Sequence, residues 1–251
     1  MKVTVDLFKE WKFHDMDISL FKEISPTGEA DLLEVLTYKS EDKENQGEIK
    51  EFQNWIIRRL VDNNLPIPEG LTKVCSLNLS GYKHRLPNSI IKTDYLNLKH
   101  YKFPLPNSIK KTGALNLKNY EFPLPNSIKK TGDIYIKKYK FSLPSSIKKT
   151  GILDLKDYEL PLPNSIIKTG YLVLKDYEFP LPDSIKETEN LYLKDYELPL
   201  PNSILKTRDI YLEGYKLPLP DSITKVWKIY VKGYELPIPE HLKQFVKELN
   251  Q

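Results

Sequence analysis

Apolar and polar residues recur with a fixed period from Ile67 to about Pro239. The unit reads Leu-Pro-Asn-Ser-Ile-x-Lys-Thr-Gly-x-Leu-x-Leu-Lys-x-Tyr-x-Phe-Pro. It opens at Ile67, Leu86, Leu105, Leu124, Leu143, Leu162, Leu181, Leu200, Leu219 and Ile238, 19 residues apart each time. Positions within a unit are numbered 1 to 19 from these residues. A period this short predicts stacked coils, each burying its apolar side only against its neighbours. Positions 11 and 13 are Leu, Ile or Val throughout, from Leu77 and Leu79 to Ile229 and Val231. Alternation with period two predicts a short strand with these positions inward and positions 10, 12 and 14 outward. Nine such strands, stacked in parallel at about 4.8 Å, would make a sheet roughly 40 Å long.

The rest of the unit predicts a return leg. Leu-Pro-Asn/Asp-Ser at positions 1–4 is a turn sequence, because Pro fixes φ and Asn, Asp and Ser bond local backbone. Ile at position 5 and Phe or Leu at position 18 supply two more core columns. Prolines at both ends of the leg exclude a regular helix, so the outer side is expected to be extended.

Outside the repeat the pattern turns helical. Asp6–Trp11 forms one short helix, and Ile18, Phe21 and Ile24 mark a second. Leu32, Leu33 and Leu36 mark a third, after the turn Pro26-Thr27-Gly28. Residues 40–48 are polar and read as a mobile loop. Ile49, Phe52, Ile56 and Leu60 then follow helical spacing, flanked by Trp55. Residues 1–65 are therefore expected to be a helical domain covering the first coil, and 66–239 the solenoid. Leu242, Phe245, Val246 and Leu249 predict an amphipathic helix over 240–251 that closes the last coil. The fold class is α+β.

Composition adds bounds. The chain of 251 residues is 40% hydrophobic and 29% charged, which suits a folded, water-soluble protein. No apolar run reaches the ~18–20 residues of a membrane helix, and Met1–Asp6 lacks the features of a signal peptide. The single cysteine, Cys75, excludes an internal disulfide framework and a zinc cluster. A reducing, cytoplasmic setting is expected. The charge is split: residues 1–65 hold 9 basic and 14 acidic residues, a net of −5, and residues 66–251 hold 29 and 20, a net of +9.

Thr112-x-x-Leu115-x-Leu117-x-x-Tyr120-x-Phe122 resembles the leucine-rich repeat, and the Leu-Pro opening resembles the short type found in bacteria and their phages. Ile67 to Gly81 is the closest match. The resemblance covers residues 67–239 and implies a solenoid whose sheet lines a concave binding face. Similar units occur behind small helical heads, so the resemblance also implies a phage or effector protein acting in a bacterial host cell, one version being an inhibitor of a host defence protein. Two departures stand out. The family's first apolar position is Thr, from Thr93 to Thr207. Its inward Asn is Tyr in nine units, Tyr82, Tyr101, Tyr120, Tyr139, Tyr158, Tyr177, Tyr196, Tyr215 and Tyr234. A ring of this size demands a wider corner or a partly outward turn. A structural aromatic ladder is expected there rather than a ligand platform.

Function would have to be written in the outward columns. Position 14 carries Lys99, Lys118, Lys137, Lys156, Lys175, Lys194, Glu213 and Lys232. Position 12 changes from Asn in the early units to Tyr192, Tyr211 and Tyr230, and position 10 includes Tyr171. Rigid tyrosines beside lysines resemble a protein-binding hot spot. The expected contact residues for a protein partner are Tyr171, Lys175, Tyr192, Lys194, Tyr211, Tyr230 and Lys232. A second column at position 7, Lys73 to Lys225 broken by Glu187, opens the alternative of nucleic acid or an anionic nucleotide. Self-assembly is a third reading. Arginine, the better reader of both bases and phosphates, is scarce in the repeats, with Arg85 and Arg208 only, which argues against the nucleic-acid alternative. Serine recurs at position 4 inside turns with no histidine in register, and His14 beside Asp15 and Asp17 reads as a solvated helix start. No enzyme, metal site or cofactor is expected.

Overall fold

The computed structural model describes residues 1–13, 15–40 and 46–248. The chain is a parallel β-solenoid of nine coils behind a small α/β head. The head contains β1 (Lys2–Thr4), α1 (Val5–Glu10), α2 (Asp15–Ile24), β2 (Glu29–Asp31), α3 (Leu32–Thr37) and α4 (Gln46–Asp62). Local chemistry sets these boundaries. Thr4 Oγ1 accepts from Leu7 N at 3.2 Å and starts α1. Asp31 accepts from Leu33 N at 2.8 Å, and Glu34 reaches back to the Asp31 amide. Both are N-cap bonds that satisfy otherwise orphaned amides. The expected apolar stripe of α4, Ile49, Phe52, Ile56 and Leu60, is fully buried. Phe8 packs edge-on against Phe21 at 4.6 Å and against Phe52 at 5.5 Å.

Two details of the head differ from expectation. β1 and β2 pair antiparallel, a contact between segments too short to show a period. The polar stretch 40–48 is not all loop, because Gln46–Glu48 already belong to α4; residues 41–45 lie outside the described residues. His14, of the His14/Asp15/Asp17 group, also lies outside them.

The solenoid strands are β3 (Lys73–Val74) and β4 (Leu77–Asn78) in coil 1, β5 (Lys92–Asn97) in coil 2 and β6 (Lys111–Asn116) in coil 3. They continue with β7 (Asp133–Tyr135), β8 (Leu153–Asp154), β9 (Lys168–Val173), β10 (Glu187–Tyr192), β11 (Lys206–Tyr211) and β12 (Lys228–Val231), one per coil. Strands of successive coils pair in parallel at a register of 19 residues, β3 and β4 both with β5, as in Leu96↔Leu115 and Leu191↔Ile210. Positions 5, 11 and 13 are buried as expected, with Ile90, Leu96 and Leu98 all at 0% exposure, except that Val231 in the last coil is half-buried. Position 18 is only half-buried at the core margin from Phe103 to Leu217, and Leu236 in the last coil is exposed. The buried residues form one continuous core from Val3 to Leu242. The return legs carry turns and no helix among the described residues.

Two devices hold coil to coil. The position-4 serine of six coils donates to the position-5 carbonyl of the preceding coil, as in Ser108 to Ile90 O at 2.6 Å. The position-16 tyrosines stack, with centroids 6.4 Å apart and planes within 9° for Tyr120 and Tyr139, and are buried from Tyr82 to Tyr215, with Tyr234 in the last coil half-buried. Each hydroxyl turns inward to the backbone: Tyr101 accepts from Leu86 N at 3.1 Å and donates to His84 O at 2.8 Å. The phenol thus reaches the loop backbone that a shorter polar side chain would have to approach more closely. Position 15, just before this tyrosine, has positive φ in all nine coils, as Gly81, Gly214, Gly233 or a non-glycine such as Lys138 (φ 58°) and Asp157 (φ 61°).

The tail corrects the expected helix. Glu240–Phe245 is a 3-10 helix, and Val246–Glu248 is a thirteenth strand, β13, parallel to β12. Leu242 is buried, but Val246 pairs with Ile229 across the sheet instead of continuing a helical stripe. Leu249 lies outside the described residues.

Candidate functional site

In-register parallel strands place the same unit position of successive coils in a line about 4.8 Å apart. Where that position is Tyr on the outward face, the rings must stack. Tyr192 and Tyr211 do so at 4.3 Å with planes 6° apart, and Tyr211 and Tyr230 at 4.7 Å and 13°. Tyr171 reaches diagonally onto Tyr192 at 6.3 Å and 14°. The expected tyrosines therefore form one continuous stack across coils 6 to 9. Tyr171 is 40% exposed, and the other three are half-buried. Burial pushes the Tyr211 hydroxyl up to about 12, helped by the adjoining Tyr192 hydroxyl and the Asp209 carboxylate.

The three expected lysines share this face, but two of them are engaged. Lys194 lies 2.9 Å and Lys232 3.6 Å from Glu213 Oε1. The Glu213 carboxylate is held below its ordinary range by the Lys194 hydrogen bond, and Lys194 is raised by the same contact. Glu213 interrupts the lysine column, so its charge relieves repulsion between the rungs on either side. Lys175 stands two rungs earlier in the same column.

Position 10 departs from the expected alternation. Both position 8 and position 11 face the core, three residues apart, so one extra residue must be accommodated between them. Position 9 is missing from the strand pairing of β9, β10 and β11. Position 10 is consequently turned in at two places beside the tyrosine stack: Asn190 is 7% and Asp209 9% exposed. The Oδ1 atoms of both accept no hydrogen bond among the described residues. Asp209 Oδ2 lies 3.8 Å from Arg208 Nε. Asp133, at the same position earlier, instead accepts the Ile152 amide at 2.8 Å.

The threonine column is fully buried, deeper than the half-buried column that Thr in place of an apolar residue suggests, and its hydroxyls have partners in only some coils. Thr112 bonds Thr131 at 3.0 Å, and Thr188 bonds Gly170 O and Asn190 O, both at 3.1 Å. Cys75 is buried; burial pushes its thiol up, and its sulfur lies 3.6 Å from Asn54 O. No helix among the described residues is long and apolar enough to cross a membrane.

No expectation attached to Trp227 and Arg208, which the structure brings together. Position 9 is Gly in coils 3 to 6, and the reason is steric. A Cβ on Gly132 would meet the Gly113 carbonyl oxygen at 1.8 Å. In coils 7 to 9 the same position holds Glu189, Arg208 and Trp227. They border a hollow of about 450 Å³ with Lys206 and Lys225. Trp227 is 65% exposed, and the Arg208 guanidinium sits 5.1 Å from its ring centroid. The change from Gly to large residues in one column was the available signal.

Comparison with family models, with curated proteins and with solved structures found no match to this chain.

Proposed function

We propose that the chain is a non-enzymatic binding scaffold of leucine-rich-repeat character that docks a protein partner on the outward sheet face of coils 6 to 9. The observation that supports this reading is the stack Tyr171–Tyr192–Tyr211–Tyr230. Stacked rings are rigid before binding, so little side-chain entropy is lost when a partner covers them. The surface is amphipathic, with aromatic faces beside the Lys194–Glu213–Lys232 ion group. That composition fits the core and rim of a protein interface.

The test uses the full chain as bait in its source cells, with a photo-crosslinking residue at Tyr230. The Tyr192→Ala/Tyr211→Ala variant is run beside it. A partner that crosslinks at Tyr230, and whose capture falls at least tenfold in the variant, supports the reading. Capture that is equal for both baits, with no crosslink at Tyr230, overturns it.

A further inference from the structure

We propose that the edge of the solenoid where the strands begin binds single-stranded nucleic acid without reading its sequence, its phosphates on a lysine ladder and a base on Trp227. The ladder is position 7. Pairing registers align Lys73, Lys92, Lys111 and Lys130, and then Lys149, Lys168, Glu187, Lys206 and Lys225. Nine rungs about 4.8 Å apart give a track of roughly 40 Å. Glu187 is the one acidic rung, and it is paired with Lys168 at 3.1 Å. Lys73 pairs with Asp94 at 3.8 Å. Among the described residues no carboxylate lies within ion-pair distance of the remaining ladder lysines.

Position 6 thickens the track. Lys110, Lys129 and Lys148 stand beside Lys111, Lys130 and Lys149, and all six are exposed. Adjacent like charges repel when nothing lies between them. A chain of phosphates reverses the sign of that interaction and releases its own counterions.

The second observation is independent of charge. The ladder runs into the hollow beside Trp227, whose wall holds the rungs Lys168, Glu187, Lys206 and Lys225 together with Glu189, three lysines and Arg208 against two carboxylates, one of them already paired with Lys168. Leu205, 48% exposed, and Ile167, 43% exposed, stand at position 6 of coils 8 and 6 on the same edge. An exposed indole next to unpaired lysines suits a base with its phosphate, because any base can stack on a ring face. The hollow has room for one such nucleotide. Arg208 already lies on the Trp227 ring, and the repeats hold only one other arginine, Arg85. Bidentate base reading is therefore absent from the design, and binding should depend on length and salt rather than on sequence.

The experiment measures fluorescence anisotropy of a labelled oligothymidylate with the full chain, from about 50 to 300 mM salt, a range over which phosphate contacts weaken steeply. The expected result is binding whose log K falls linearly with log salt. Lys111→Gln/Lys130→Gln/Lys149→Gln should reduce that slope by about 2, at about 0.7 per phosphate contact. Should the triple variant not fold, Lys130→Gln alone should reduce it by about 0.7. Trp227→Ala should weaken binding about tenfold at every salt concentration and leave the slope unchanged. Tyr192→Ala/Tyr211→Ala should leave binding unchanged, which separates this site from the tyrosine face. Absence of salt-dependent binding at 50 mM overturns the proposal. So does equal binding of duplex DNA or polyglutamate with no effect of Trp227→Ala, which would reassign the edge to polyanions in general or to acidic protein segments.

Discussion

The Tyr120 hydroxyl lies 3.0 Å from the amide nitrogen of Leu105, fifteen residues earlier, and accepts its proton. The same oxygen donates to Phe103 O at 3.0 Å. One phenol thus satisfies both a donor and an acceptor of the proline turn, where no ladder hydrogen bond is available. Tyr120→Phe removes both bonds without changing the ring. It should cost about 1–3 kcal/mol, the range for leaving buried polar groups unsatisfied. Urea unfolding of the two proteins measures it, and a loss below about 0.5 kcal/mol would show that the hydroxyl bonds carry no net stability.

Alkaline pH should unfold the protein abruptly. Burial pushes the hydroxyls of Tyr158, Tyr196 and Tyr215 up to about 12, and raises those of Tyr101, Tyr120, Tyr139 and Tyr177 as well. A raised pKa in the folded state gives stability that is complete below the unfolded value near 10. It is lost as pH rises from there toward 12. Each such tyrosine removes about 1.4 kcal/mol per pH unit in that window. Three of them remove about 4 kcal/mol by pH 11, close to the whole stability of many domains. Tyrosinate absorbance from the ladder should therefore appear in one step together with loss of far-UV dichroism. A broad titration centred near 10, with the fold intact, would contradict the burial of the ladder.

Two backbone substitutions should act in opposite directions. Lys138 has φ 58° and is exposed. A side chain in the left-handed region costs about 1–2 kcal/mol, and glycine gives back about 0.5–1 in chain entropy. Lys138→Gly should accordingly raise stability by about 0.5–1 kcal/mol. Gly132→Ala should lower it by about 1–3 kcal/mol or more, because its Cβ meets backbone rather than a movable side chain. Thermal melts of both variants against wild type give the signs.

Removing the chain after Phe245 takes away β13 and uncovers the β12 edge at Ile229, Tyr230 and Val231. An unpaired parallel edge is a template for another chain. The shortened protein should form dimers or larger species at concentrations where the full chain does not, as read by light scattering on a sizing column. Identical masses for both would mean that the β12 edge is protected by something other than β13.

The columns were legible where a residue's chemistry has one use. Leu and Ile at positions 5, 11 and 13 could only face inward, and the 19-residue spacing fixed the coil. Tyr at position 16 was ambiguous because a phenol is both apolar and polar. Its burial depended on a backbone donor and acceptor that only the closed turn brings together. Asn190 and Asp209 were misplaced because strict alternation assumes one residue per pleat, and the extra residue at position 9 breaks that count. The tail was misread because Leu242, Phe245 and Val246 satisfy helical spacing, while the edge of β12 offers Val246 a partner that no local pattern reveals. The tyrosine face was found from variation within one column. Trp227 and Arg208 were overlooked because their column is glycine in the coils that define the repeat.

The constant register between coils has one more consequence. In the core, positions 11 and 16 present the same kind of contact to the coil before and to the coil after. Excising residues 124–142 would bring Leu115 against Leu153 and the ring of Tyr120 against that of Tyr158, both pairs of a kind already present. Inserting a copy would do the same in reverse. Length can therefore change by whole coils while the cap, the last strand and every junction keep their chemistry. Reach is the property such a molecule can alter most readily over generations, and a surface spread along its axis lengthens or shortens with it.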